Sequence, residues 1–225
     1  MNARVDHLVV VADTLDQGVR WCEATLGAMP QAGGRHPLMG THNRLLSIGA
    51  GRFERSYLEI IAIDPDAPVP PRPRWFAMDD PALRAAAREA PRLVHMVART
   101  TMIEMVRWGL INCGLDPGVP IAAERQTPSG LLKWRITVRD DGAMECAGAL
   151  PTLIEWQGPH PADSLPSSAV TLRALTLRGL PARAIDVLKL SGVQTPARGD
   201  ATAREPTLSA TFETPRGVVT LDSWT

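Results

Sequence analysis

Val5-Asp6-His7-Leu8-Val9-Val10-Val11-Ala12 is an apolar, β-branched run with a histidine in its middle. Short runs of this kind, bounded by turn residues, read as buried strands. The pattern returns at Leu93-Val94-His95-Met96-Val97-Ala98, so that His7 is matched by His95. Each run leads through a threonine or aspartate cap into a helical pattern. Asp13 or Thr14 precedes Leu15–Leu26, Thr101 precedes Met102–Cys113, and Gly27 and Gly114 stop the two helices. Strands follow at Asn43–Ile48 and Tyr57–Ile63 in the first half, and at Leu131–Val138 and Pro151–Gln157 in the second. The intervening stretches, Met29–Thr41 and Gly118–Pro128, read as loops with room for one short strand each. Two copies of a β-α-β-β(-β) unit are therefore predicted in an α+β protein.

Working outward, the first unit spans about residues 1–64 and the second about 92–158, within a two-module domain over 1–165. Between the units lie a proline-rich linker, Asp64–Arg74, and a helix over Asp80–Ala90, together filling 65–91. Residues 168–225 read as strand, helix, strand, strand (Val170–Leu177, Ala182–Leu190, Leu208–Thr214 and Val218–Asp222), with a loop over Arg198–Glu205. This is a partial third β-α-β-β copy without the histidine. Its expected role is structural, as an added flank or as the surface of a homodimer.

The 225 residues carry 24 Lys+Arg and 24 Asp+Glu, so no basic excess points to nucleic acid or to an anionic membrane. With 44% hydrophobic and 21% charged residues, the chain can fill a core without staples. Three scattered cysteines (Cys22, Cys113, Cys146) form no CxxC pair, which argues against a thiolate zinc site or a disulfide framework. No 18-residue apolar stretch and no signal-peptide pattern are present, so a reduced, cytoplasmic protein is the expectation. Phosphate-binding glycine loops and a GxSxG elbow are absent as well.

The chemistry rests on a coincidence between the halves. Leu58-Glu59-Ile60 in the last strand of the first unit sets against Ile154-Glu155-Trp156 in the second, 52 positions after His7 and 60 after His95 respectively. Strand alternation groups His7 with Val5, Val9 and Val11, His95 with Leu93 and Val97, Glu59 with Tyr57 and Ile61, and Glu155 with Leu153 and Gln157. An unpaired carboxylate in such apolar runs is costly. A divalent cation (Zn, Ni, Mn, Fe or Co) held by His7, Glu59, His95 and Glu155 would account for all four. The alternative is that the acids pair with Arg44, with Arg135 or with the histidines.

The doubled unit, opened by Asp6-His7-Leu8-Val9-Val10 and closed by Tyr57-Leu58-Glu59-Ile60-Ile61, resembles the vicinal oxygen chelate superfamily. The segments Gly34-Arg35-His36-Pro37-Leu38-Met39-Gly40-Thr41-His42-Asn43, Arg74-Trp75-Phe76 and Leu150-Pro151-Thr152-Leu153-Ile154-Glu155-Trp156 are similar to its glyoxalase-like branch. The resemblance implies two modules forming an open cup around one metal, with ligands from first and last strands, here His7, Glu59, His95 and Glu155. It implies a metal-dependent lyase or isomerase acting on a small carbonyl or hydroxy-carbonyl substrate, with Glu59 or Glu155 as the base. An Fe(II) ring-cleaving dioxygenase and a metal-free small-molecule binder are the rivals. His42, Arg35 and Arg44 are the candidate substrate contacts, and His36 and His160 read as rim residues.

Overall fold

The computed structural model describes residues 2–128, 130–197 and 205–223. Its first unit comprises β1 (Arg4–Val11), α1 (Leu15–Leu26), β2 (Gln31–His36), β3 (Thr41–Ser47) and β4 (Tyr57–Ile63). A helix α2 (Pro81–Glu89) bridges to β5 (Arg92–Arg99), α3 (Ile103–Ile111), β6 (Val119–Thr127), β7 (Gly130–Val138) and β8 (Thr152–Trp156). The chain closes with β9 (Thr171–Leu177), α4 (Ala182–Leu188), β10 (Leu208–Thr214) and β11 (Gly217–Asp222). Of the loop expected over 198–205, residues 198–204 lie outside the described ones.

Local chemistry sets the helix ends. The Thr14 hydroxyl accepts from the Gln17 amide, and Gly27 takes the left-handed conformation (φ 70°) that closes α1. Asp80 caps α2 with Pro81 just inside it.

The first eight strands form one sheet in the order β2-β3-β4-β1-β5-β8-β7-β6. Within each unit the first strand pairs in parallel with the last, β1 with β4 and β5 with β8. The units join through the antiparallel pair β1–β5. Both glycine- and proline-containing stretches read as loops hold an edge strand, β2 and β6. Pro120 is tolerated in β6 because an edge strand leaves one row of amides unpaired. The two edges approach one another where β6 passes Gly34: a Cβ there would lie 2.3 Å from Arg125 Cδ. The sheet is thus curled into a cup.

One face of the sheet carries Leu8, Val10, Leu58, Ile60, Met96 and Leu153, packed against α1 and α3 and against the C-terminal unit through Leu172, Leu175 and Phe212. The C-terminal unit follows the expected β-α-β-β order, but its first strand pairs antiparallel with β10. The inner face carries Val9, Val11, Ile61, Val97, Trp134, Ile136 and Ile154, packed against Trp75 and Phe76, which follow the linker.

Two residues break the alternation at the β1–β5 seam. Val5 pairs with Ala98 and His7 with Val97, leaving Asp6 as an extra residue; Val9 pairs with His95 and Val10 with Leu93, leaving Val94 extra. Such a bulge brings two successive side chains to one face. Val5 and Leu93 therefore belong to the outer core, not to the histidine faces on which simple alternation placed them.

Candidate functional site

The bulge at Asp6 turns its carboxylate onto the same face as His7. Asp6 Oδ1 lies 2.7 Å from His7 Nδ1. Asp6 Oδ2 accepts from Trp156 Nε1 at 3.0 Å and from His160 Nε2 at 2.9 Å. The His160 proton sits on Nε2, because its Nδ1 accepts from the Ala162 amide. Asp6 is fully buried, and these three groups hydrogen-bond its carboxylate.

On its other side His7 Nε2 lies 3.4 Å from Glu59 Oε2. The parallel register carries Glu59 opposite Val9, one alternation beyond Tyr57, whose ring stacks on His7 at 4.7 Å. Glu59 Oε1 accepts from Asn43 Nδ2. Asn43 Oδ1 accepts from the Gly34 amide (2.8 Å) and from Arg125 Nη1 (3.3 Å), which fixes the way the amide points. His36 Nδ1 lies 3.1 Å from the Thr41 hydroxyl, and its Nε2 faces the Asn43 amide nitrogen.

These contacts set the charges. Burial lowers the basicity of His7, but hydrogen bonds to Asp6 and Glu59 more than offset it and raise its pKa to about 9. Burial likewise opposes charge on Glu59, and the hydrogen bond from His7 outweighs it, holding Glu59 at about 2. For Asp6, too, burial is outweighed by the His160 and His7 bonds, which keep its carboxyl well below the usual range. His36, by contrast, is pushed down to about 4 by burial and is neutral. The site is a buried line, carboxylate–imidazolium–carboxylate. Trp134, Trp156, Trp75 and Phe76 wall it, and only about 30 Å³ of free space remains, room for a water or for a carbonyl group.

The second unit departs from the four-donor expectation. His95 lies at the second bulge as His7 lies at the first, but Val94 stands where Asp6 would be. Thr152 pairs with Val97 as Glu59 pairs with Val9, so Thr152 holds the place of Glu59. His95 Nε2 accepts from the Thr152 amide at 3.1 Å and has the Thr152 hydroxyl at the same distance. That nitrogen is occupied, and burial lowers the His95 pKa to about 4. Phe76 stands 5.5 Å from the His95 ring, and Trp75 and Phe76 line both the cavity of His7 and a separate cavity that holds His95.

Glu155 is not in the cup at all. Its neighbours Ile154 and Trp156 line the inner face, so alternation turns Glu155 outward. There it accepts from the Ile103 amide at 3.3 Å and faces Arg135 at 3.4 Å. Arg135 is one of the alternative partners the sequence offered. Among the described residues no cluster of three or more His, Cys, Asp or Glu side chains converges on a point a metal could occupy. Of the expected set His7, Glu59, His95 and Glu155, the structure brings His7 and Glu59 together, with His95 against Thr152 and Glu155 against Arg135. His95 Nε2 serves the Thr152 amide, while its buried Nδ1 has no hydrogen-bond partner among the described residues.

Of the expected substrate contacts, Arg35 lines a neighbouring cavity with His36, Trp75 and Trp134. Asn43 and Leu45 of the unbroken strand β3 face the cup, so His42 and Arg44 face away from it. His42 neighbours Asp64 at 3.9 Å, and Arg35 is exposed and paired with Asp64 and Asp66. The cation that does reach the cup is Arg125. His36 and His160, read as rim residues, are buried members of the site. Asp6, Asn43 and Arg125 had no sequence reading as site residues; Trp156 was expected as core or pocket lining and walls the cup. The Asp6-His7 adjacency was the one visible signal, and alternation argued against it.

Comparison with known proteins places this geometry in context. The family model described as "Glyoxalase-like domain" matches residues 5–188. A hypothetical protein from Staphylococcus aureus, 13% identical, superposes with a TM-score of 0.57 over 99% of this chain and 87% of that one, which shows the fold. Streptomyces coelicolor methylmalonyl-CoA epimerase in complex with 2-nitronate-propionyl-CoA is 16% identical, with a TM-score of 0.45 over 70% of this chain and 100% of that one. The Mycobacterium tuberculosis methylmalonyl-CoA epimerase is 11% identical, with a TM-score of 0.40 over 72% and 91%. No curated protein matches. No helix among the described residues is long and apolar enough to cross a membrane.

Proposed function

We propose, for a chain that belongs to the glyoxalase-like domain family, that the cup moves a proton at a carbon next to a carbonyl in a small carbonyl or hydroxy-carbonyl compound. Glu59 is the base and His7 the acid. The C–H bond breaks toward Glu59, its electron pair forms the C=C bond, and the carbonyl oxygen takes the proton of His7 Nε2. Delivery of the Glu59 proton to the former carbonyl carbon, while the neighbouring hydroxyl gives its proton back to His7, completes an isomerisation; departure of a group from the β carbon, with the enol proton returning to His7 and the Glu59 proton going to the leaving group, makes the enzyme a lyase.

The observation that carries this reading is the buried Asp6–His7–Glu59 line, whose acid and base both border the same small, aromatic-walled space. Asp6 holds His7 protonated and oriented, as a second carboxylate does for a catalytic imidazole. In the closed pair Glu59 is a weak base. A carbonyl that accepts the His7 proton takes away the cation that depresses Glu59, and exclusion of water strengthens the effect. Arg125, with one hydrogen bond among the described residues, supplies a cation for a further substrate oxygen.

Exchange in D2O tests the proposal. Wild-type protein incubated with small hydroxy-aldehydes, hydroxy-ketones and α-keto aldehydes is followed by proton NMR, before and after treatment with a chelator. The expected result is deuterium incorporation beside the carbonyl of at least one compound, undiminished by the chelator and reduced at least 100-fold in Glu59→Gln. Exchange equal in Glu59→Gln overturns the assignment, and exchange lost on chelation returns the metal reading. A second reading, a ligand-binding protein without turnover, is favoured by the mutual neutralisation of His7 and Glu59. Saturable binding without exchange is its signature.

A further inference from the structure

A cavity of about 340 Å³ lies outside the cup, behind Trp156 and His160. Arg4, Arg55, Arg99, Thr100 and Thr101 line it, and none of its lining residues is acidic.

Arg99 is built into this wall. Its Nη1 donates to the Val5 carbonyl at 2.9 Å and its Nη2 to the Glu54 carbonyl at 2.8 Å. The partners are backbone oxygens, so the guanidinium charge is held in place without being neutralised. Arg4 and Arg55 are exposed, and each is paired with one carboxylate outside the cavity, Glu54 at 2.7 Å and Asp163 at 2.8 Å. Exposed pairs of this kind are weak and rearrange readily. Three arginines and two threonines around one hollow make a donor-rich, cationic surface.

We propose that this cavity binds a phosphate group. A phosphate dianion offers the charge and the several acceptor oxygens that forked guanidinium donors match. The half-buried Trp156 ring in the same wall gives an organic body an apolar face, and the volume exceeds that of phosphate alone. The ligand is thus either a small phosphomonoester or free phosphate. The cavity shares the Trp156 wall with the cup and borders His160, which bonds Asp6, but its arginines take no part in the proton transfer, so it stands whether or not that reading holds.

Isothermal titration at low ionic strength tests it, with phenyl phosphate and inorganic phosphate as probes and phenol as the uncharged control. Saturable binding of phenyl phosphate at one site is expected, at least tenfold tighter than phenol. The double variant Arg4→Ala/Arg55→Ala should weaken it at least tenfold with an unchanged melting temperature. Since Arg99 ties three chain segments, Arg99→Lys is used there, with the same expected loss of affinity. Phenyl phosphate tighter than inorganic phosphate identifies an ester as the ligand, and equal affinities identify the free ion. Absence of saturable binding by either probe overturns the proposal. So does binding that is unchanged in the double variant.

Discussion

Thr152 Oγ1 lies 3.1 Å from His95 Nε2, and the Thr152 amide donates to the same nitrogen. By strand register this contact is the counterpart of His7–Glu59. One half of the fold thus carries an ionised histidine–carboxylate pair, and the other carries a neutral histidine bonded to a threonine. The division of labour is local: the bulge residue is Asp6 in one unit and Val94 in the other. Only the first can stabilise an imidazolium.

Glu155→Gln should leave catalytic exchange within twofold of wild type. It loses a charge facing Arg135 and weakens the bond from the Ile103 amide at the start of α3, which costs about 1 kcal/mol. Thermal unfolding and the D2O exchange assay measure the two quantities. A collapse of activity with a normal melting temperature would restore Glu155 to the site.

Glu59→Gln removes one of the two anions that keep His7 charged, so the His7 pKa should drop from about 9 toward the value set by Asp6 alone. Histidine side-chain NMR reads this directly. Wild-type His7 stays protonated through neutral pH, and the variant titrates at lower pH.

Stability should be greatest near pH 6 to 7. Buried neutral His36 and His95, depressed from 6.5 to about 4, contribute fully above pH 6.5 and lose that contribution as pH falls toward 4. Glu59 and Asp6, both depressed, contribute above their ordinary range near pH 4 and add to the loss as the solution becomes more acid. His7, raised to about 9, contributes below pH 6.5 and loses its contribution as pH climbs through 9. Melting temperatures from pH 4 to 10 at constant ionic strength should show both limbs. His95→Gln should shrink the acid limb and leave the alkaline one.

Two adjacent glycines should respond differently to alanine. A Cβ at Gly33 would meet Asn43 Oδ1 at 2.0 Å and the Asn43 backbone oxygen at 2.6 Å, so Gly33→Ala should cost about 1–3 kcal/mol. At Gly34 the obstacle is Arg125, with Cδ at 2.3 Å, and that side chain can swing away. Gly34→Ala should therefore keep most of the stability and raise KM for acidic substrates far more than it lowers kcat. Denaturant melts and steady-state kinetics separate the two outcomes.

Periodicity alone determined a good deal of this protein. The apolar runs around His7 and His95, the cap at Thr14 and the stops at Gly27 and Gly114 define the paired units, because helix and strand periods and chain-ending chemistry are local properties. The same local signals led to His7 and Glu59. What only the tertiary structure decided was which side chains share a face. A single extra residue reverses alternation, so the bulges at Asp6 and Val94 moved Val5 and Leu93 outward and brought Asp6 to His7. A shift of register made Thr152 the counterpart of Glu59 and turned Glu155 toward Arg135. Arg125 and His160 reach the site from 82 and 154 positions away, and Trp75 and Phe76 part the two histidines. Contacts of that range follow from how the sheet curls and what it packs against, which no window of sequence contains.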